Sequence, residues 1–121
     1  MRIFMLTAIF AVFGCLTTFA QSDDEAGGYV KASVNDAKVK AAANYAVSVK
    51  AKERNEKLTL QAIKKAETQV VAGINYHLCM AISVPQNNGE ILYIDAVIYQ
   101  NLQGQYKLTS WEEDENNCGA E

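Results

Sequence analysis

The feature that most constrains the fold is a run of alternating residues in the middle of the chain. From Ile74 to Val84, large apolar side chains alternate with smaller or more polar ones such as Asn75 and His77. A period of two places successive side chains on opposite faces of an extended strand. The sequence therefore predicts a long strand here, with one buried face and one face in contact with solvent.

More strands are predicted around this run, separated by turn-forming residues. Pro85 to Gly89 contains the Asn-Gly pair that favours a tight hairpin, and Gln100 to Gln105 makes a second turn. Ile91 to Tyr99 is apolar on both parities, as expected for a central strand. The first and last strands comprise Leu58, Leu60, Ala62 and Ala66, and Tyr106 to Trp111.

A helix is predicted ahead of the strands, because apolar residues recur there at helical spacing. Ser33 and Asn35 are the candidate N-caps. One helix followed by an antiparallel meander predicts an α+β fold, with a long N-terminal helix packed on a sheet of four to five strands. The apolar stripe consists of Val39, Ala42, Ala43, Ala46 and Val49, and Lys38, Lys40 and Lys50 lie largely off it.

Residues 1–20 have the pattern of a signal peptide. Arg2 precedes an apolar run from Ile3 to Phe13, and the small residues Thr18 and Ala20 precede the expected cleavage point. A membrane span is the alternative, but the run is short and no basic stop-transfer cluster follows. We expect residues 21–121 to form a single secreted, extracellular domain with one core and no membrane anchor.

The net charge and the small number of residues suited to catalysis or metal binding argue against several classes of function. Loss of Arg2 with the leader takes the net charge from −3 to about −4, which argues against nucleic-acid or anionic-membrane partners. His77 is the single histidine, too few ligands for a structural zinc site even with the cysteines. We therefore expect no catalytic activity, no metal and no cofactor, and His77 is expected to be an ordinary residue on the open face.

Two cysteines, Cys79 and Cys118, remain once the leader and its Cys15 are removed. Secreted proteins fold under oxidising conditions, so a disulfide between them is the expected pairing. Its chain-entropy contribution would be roughly 4 kcal/mol. A buried free thiol at Cys79 and an intermolecular bridge through the tail are the alternatives.

Val70 and Val71 fall in the predicted hairpin between the first two strands, beyond the reach of the helix. Each valine left in water forfeits about 1.5–3 kcal/mol of burial free energy, so an exposed pair indicates a partner that covers it. The alternative is a loop that folds back and buries both valines in the core. Spacing alone leaves the two interpretations open.

Residues 69–73, QVVAG, resemble the QxVxG motif of the cystatins, which inhibit papain-like cysteine proteases. The order of features also resembles that family: Gly27 or Gly28 precedes the helix at the expected distance, and "GINY" continues into the second strand. The resemblance implies a wedge whose amino-terminal arm and two hairpins occlude the active-site cleft of a cathepsin-type protease. The implied contacts are Gly27, Gly28, Gln69, Val70, Val71, Ala72, Gly73, Leu102 and Gln103.

The chain departs from the family pattern in two respects. The second hairpin lacks the usual Pro-Trp, with Leu102 as a partial replacement, and Trp111 is expected to pack in the last strand instead. Secreted vertebrate cystatins also carry four cysteines in two bonds. These departures leave open a secreted binding module of cystatin fold with weak or no protease inhibition.

Two further alternatives concern partners. Some cystatins block legumain through an asparagine after the helix, and Asn55 lies in a comparable place, although a solvated polar loop is the favoured interpretation. We expect a monomer, with a domain-swapped dimer as the alternative, because a strained hairpin can open into a hinge.

Overall fold

A computed structural model describes residues 28–119 of the chain. The predicted signal peptide, most of the arm and Gly27 therefore lie outside the described residues. One helix crosses a five-stranded antiparallel sheet in which sequential strands are neighbours throughout. The elements are β1 (Tyr29–Lys31), α1 (Ala37–Arg54), β2 (Thr59–Val71), β3 (Gly73–Val84), β4 (Glu90–Gln100) and β5 (Tyr106–Glu113), with short 3-10 turns at Pro85–Asn87 and Asn117–Gly119.

The predicted α+β architecture is confirmed, with one helix laid on an antiparallel meander. The additional strand is β1, which the sequence did not predict because three residues carry no periodic pattern. It pairs with the far part of β2, in the register Tyr29 with Gln69 and Lys31 with Glu67. This pairing attaches the start of the described chain to the edge of the sheet.

The helix begins with a different cap from the two that were predicted. Its N-cap is Asp36, whose carboxylate accepts a hydrogen bond from the Lys38 amide at 2.8 Å. Neither Ser33 nor Asn35 has this role. The Ser33 hydroxyl instead accepts a hydrogen bond from the Asn35 amide at 3.1 Å, in the turn that leads into the helix.

The buried face of α1 also differs from the predicted stripe at its C-terminal end. Val47 is buried there, whereas Val49 is only partly buried. Lys50, expected largely off the stripe, is partly buried and is not among the buried residues of the helix. Its ammonium group lies 6.0 Å from the centroid of the Trp111 ring.

The core lies between α1 and the inner face of the sheet. Alanines on the helix let the sheet approach closely, and β3 and β4 fill the space with larger side chains. Tyr76, Met80 and Ile94 are among the largest fully buried side chains. The buried residues of this cluster are Val39, Ala42, Ala43, Ala46, Val47, Leu58, Ala66, Tyr76, Leu78, Met80, Ile82, Val84, Ile94, Ala96 and Ile98.

The outer face of β3, which points away from α1, is only partly in contact with solvent, and this corrects the simple alternation predicted for it. Asn75 and His77 are half-buried, but Cys79, Ala81 and Ser83 are buried. Cys79 is covered by the C-terminal tail, because the predicted disulfide to Cys118 is formed in the structure. The C-terminal tail and the small size of these side chains therefore keep from solvent a face that the sequence pattern predicted to be exposed.

Irregular pairing in β2 explains why its apolar residues do not keep one parity. The register with β3 shifts between Leu60 and Ala62 and again between Ile63 and Lys65. Such shifts insert extra residues and turn the following side chains to the other face. Leu60, Ile63 and Ala66 consequently all face the core, whereas Ala62 pairs with Ala81.

Candidate functional site

Three segments meet at one end of the sheet, and together they are called the hairpin edge: Gly28–Val30, Gln69–Gly73 and Asn101–Gln105. Strand pairing brings them together, since Tyr29 is opposite Gln69 and Gln100 is opposite both Ile74 and Tyr106. The antiparallel meander places the β2–β3 and β4–β5 turns at the same end. The structure therefore brings together the described residues of the predicted binding set.

The first hairpin leaves both of its valines in contact with solvent. Val70 is 60% exposed and Val71 is 38% exposed, and neither belongs to the core cluster. The hairpin is held by pairing, with Val70 opposite Ile74 and Val71 opposite Gly73. The Asn75 amide also donates a hydrogen bond to Gln69 Oε1 at 2.8 Å. The loop does not fold back to bury its valines, so they remain available to a partner.

Gly73 is required at this turn for two separate reasons. Its φ of +114° is a conformation that residues with a side chain rarely adopt. A Cβ atom would also collide with the Gln100 carbonyl oxygen and would lie 2.9 Å from Tyr99 Cε2. The first reason was expected from the turn sequence, whereas the second depends on how closely β4 approaches the turn.

The second hairpin is held by its own asparagine. Asn101 Oδ1 accepts hydrogen bonds from the amides of Gln103 at 3.0 Å and Gln105 at 2.8 Å. Gly104 adopts a φ of +85°, which allows the chain to turn. Leu102 projects from this loop and is 77% exposed, and Gln103 beside it is exposed too.

The start of β1 completes the hairpin edge. Tyr29 is 39% exposed, and its ring lies edge-on to that of His77 with centroids 5.6 Å apart. Partial burial raises the pKa of Tyr29, and the negative charge of Glu67 adds to the rise. Gly28, the first residue that the structure describes, is exposed immediately before it.

Trp111 and Asn55 have structural surroundings away from the hairpin edge. Trp111 is half-buried against the core and faces Lys50, in agreement with the packing role expected for it. Asn55 is the C-cap of α1, in the left-handed conformation with φ 48° and ψ 48°. Asparagine is one of the few residues that adopt this conformation readily, so helix termination accounts for its presence.

His77 has more partners than the sequence suggested. Its Nε2 lies 2.6 Å from Asp95 Oδ1, and its Nδ1 lies 3.5 Å from Glu67 Oε1. Strand register creates this group, because His77 pairs with Glu67 on one side and with Val97 on the other, and Asp95 lies two residues from Val97 on the same face. Residues so far apart in sequence give no local signal, and no sequence pattern predicted the group.

The tail forms a second polar group around the disulfide. Asp114 Oδ2 accepts a hydrogen bond from the Cys118 amide at 3.0 Å and lies 3.3 Å from Cys79 Sγ. The sulfur atoms of Cys79 and Cys118 are bonded to each other, so neither can act as a thiolate ligand, and Asp114 is the one carboxylate in this cluster.

Comparison with solved structures defines the class. A salivary cystatin from the soft tick Ornithodoros moubata is 29% identical, with a TM-score of 0.64, and the match covers 74% of this chain and 98% of that chain. Mialostatin, a gut cystatin from the hard tick Ixodes ricinus, is 21% identical, with a TM-score of 0.61, and the match covers 72% and 97%. The fold is that of the cystatins, and the class is the cystatin-type protease inhibitors.

The family follows from the sequence. The family model described as "SQAPI: Aspartic acid proteinase inhibitor" matches residues 31–113. The chain belongs to this cystatin-like family. Among residues 28–119 there is no helical segment that combines the length and the apolar composition of a membrane span.

Proposed function

We propose that the chain is a reversible, competitive, tight-binding inhibitor of papain-like cysteine proteases of the cathepsin type. The observation that carries the proposal is the exposed Val70–Val71 pair on a hairpin held in place by strand pairing. Burial of this apolar surface in a protease cleft would supply the hydrophobic part of the binding free energy.

The proposed mechanism is occlusion of the active-site cleft without chemistry by the inhibitor. Gln69–Gly73 and Asn101–Gln105 contain no charged residue, so they can enter a cleft without the desolvation cost of an ion. Both loops are held by hydrogen bonds in the free protein, which reduces the conformational entropy lost on binding. Gly27 and Gly28 would let the arm bend into the same cleft.

The test is titration of the purified mature protein against papain and a cathepsin L-type enzyme. We expect inhibition that substrate relieves competitively and dilution reverses, with the inhibitor recovered uncleaved. Absence of inhibition of both enzymes at micromolar concentration would contradict the proposal and favour a cystatin-fold binding module.

Inhibition of aspartic proteinases is a second candidate, favoured by the description of the matching family. The same titration against a pepsin-type enzyme tests it. Inhibition there that survives Val71→Asp would place the aspartic-proteinase contact outside the first hairpin.

Secretion is proposed together with this function. The signal-peptide pattern of residues 1–20 supports it, and so does the Cys79–Cys118 disulfide, since such bonds persist in oxidising compartments. Expression of the full chain in a secreting cell should release protein that begins at Gln21. Retention of an intact amino terminus inside the cell would contradict this proposal.

A further inference from the structure

Tyr99 and Gln100 are consecutive residues of β4 whose side chains reach different hairpins. We propose that they are positioning residues, which hold the two hairpins of the hairpin edge in one relative arrangement before a protease binds. The consequence for inhibition rests on the function proposed above, whereas the effect on the free protein does not.

Tyr99 contacts the first hairpin from the outer face of the sheet. Its hydroxyl donates a hydrogen bond to the carbonyl oxygen of Ala72, at the tip of the turn. Its ring fits there because Gly73 has no side chain, and a Cβ at that position would lie 2.9 Å from the ring and 3.0 Å from the hydroxyl oxygen. The turn and the tyrosine are therefore fitted to each other.

Gln100 contacts the second hairpin and is itself anchored in the core. Its Oε1 accepts a hydrogen bond at 3.1 Å from the hydroxyl of Tyr76, a residue that is only 1% exposed. Its Nε2 donates to the carbonyl oxygen of Gly104 at 3.4 Å. Gln100 thus connects the rigid interior to the loop that carries Leu102.

The two contacts together restrict both loops from a single point on β4. A loop that is already in its bound conformation loses less entropy when it binds. The second hairpin of this chain has no tryptophan that could contribute contact area to an interface. Preorganisation of the two loops is therefore more important for the binding free energy. The aromatic side chain of Tyr99 lies against the first hairpin, and the tip of the second hairpin has no aromatic residue.

Tyr99→Phe tests the first contact by removing one hydroxyl group. In the free protein we expect faster hydrogen exchange of the amides of residues 70–73, with exchange of residues 101–105 unchanged. In the inhibition assay we expect the inhibition constant to rise about fivefold, the effect of one lost hydrogen bond. Tyr93→Phe is the matched control, because Tyr93 lies on the same face of β4 near the other end of the sheet.

Gln100→Glu tests the second contact. Glutamate keeps an oxygen that accepts from Tyr76 but replaces the amide donor that faces Gly104. We expect faster exchange of residues 101–105 while residues 70–73 keep their rate, which is the reverse of the Tyr99→Phe pattern. A general loss of stability would instead raise exchange throughout the sheet and lower the melting temperature, and that result would overturn the positioning role of Gln100.

The outcomes separate the two proposals. Unchanged exchange in both variants would overturn the positioning role, whatever the inhibition data show. Altered exchange in the expected segments, with a parent protein that inhibits neither papain nor cathepsin L, would support the positioning role and contradict the proposed function. Altered exchange with inhibition constants equal to the parent's would overturn the link between positioning and binding.

Discussion

The two ends of the sheet are both closed by hairpins, but they use apolar residues differently. At the far end, opposite the hairpin edge, the turn from Pro85 to Gly89 is exposed and mostly polar, and Gln86 accepts a hydrogen bond from the Lys57 amide at 2.8 Å. At the hairpin edge, exposed apolar side chains are concentrated. Of the six large hydrophobic side chains exposed among residues 28–119, five lie there: Tyr29, Val30, Val70, Val71 and Leu102.

This contrast shows that turn formation alone does not require exposed valines. The far turn is made with Asn88 and Gly89 in left-handed conformations and needs no apolar residue at its tip. Turn formation therefore does not account for the apolar residues at the hairpin edge, and their exposure is consistent with the partner binding proposed above. Ile91, the remaining exposed hydrophobic residue, provides a control away from that edge.

The largest predicted effect is a loss of unfolding free energy on removal of the Cys79–Cys118 disulfide, which lies away from both ends of the sheet. The Cys79→Ala/Cys118→Ala double variant should lose about 4 kcal/mol of unfolding free energy, because the unfolded chain is no longer cross-linked. Denaturant unfolding measures this loss. Inhibition by the remaining folded protein should be unchanged, and a raised inhibition constant would show that the tail supports the hairpin edge.

A single carboxylate introduced at each end of the sheet is the most direct test of the contrast between the two ends. Val71→Asp should raise the inhibition constant at least about tenfold, because it places a carboxylate in a desolvated interface. Ile91→Asp makes the same kind of change at a residue that is 44% exposed near the far end, and it should leave the inhibition constant at the parent value. Equal effects of the two variants would show that the binding surface is misassigned.

Leu102 tests whether both hairpins of the hairpin edge take part in binding. Leu102→Ser should raise the inhibition constant about fivefold, since truncation of an apolar interface residue costs on the order of 1 kcal/mol. Leu102→Met keeps the apolar contact and serves as the control. Inhibition that is insensitive to Leu102→Ser would restrict binding to the arm and the first hairpin.

A smaller change in unfolding free energy is expected at alkaline pH, where the buried Tyr76 ionises. Burial raises the pKa of Tyr76 above its usual value near 10, and the charges of Tyr106 and Asp36 add to the rise. Below a pH of about 10, the hydroxyl is neutral in both the folded and the unfolded state, and its full contribution to the unfolding free energy is present. This contribution is lost as the pH rises through the pKa of the folded state. Unfolding free energy measured against alkaline pH should decline less steeply in Tyr76→Phe, and an equal slope would contradict this assignment.

Much of the candidate site could be predicted from local patterns. The turn residues and the alternation of β3 located both hairpins, and the resemblance of QVVAG to the cystatin motif marked the first of them as a candidate site. The contacts that hold the hairpins could not be predicted, because Tyr99 lies 27 residues from Ala72 and Tyr76 lies 24 residues from Gln100. The pairing register that creates such contacts depends on bulges and turn geometry.

One helix, an antiparallel meander and two uncharged hairpins follow from the sequence alone, because periodicity and turn chemistry act over a few neighbouring residues. Tertiary structure places the hairpins at one end with their valines uncovered, joins β1 to the sheet, and brings β4 too close to Gly73 for any side chain. These features depend on which strands pair and how closely they pack, and no local pattern encodes a distance between residues so far apart in the chain.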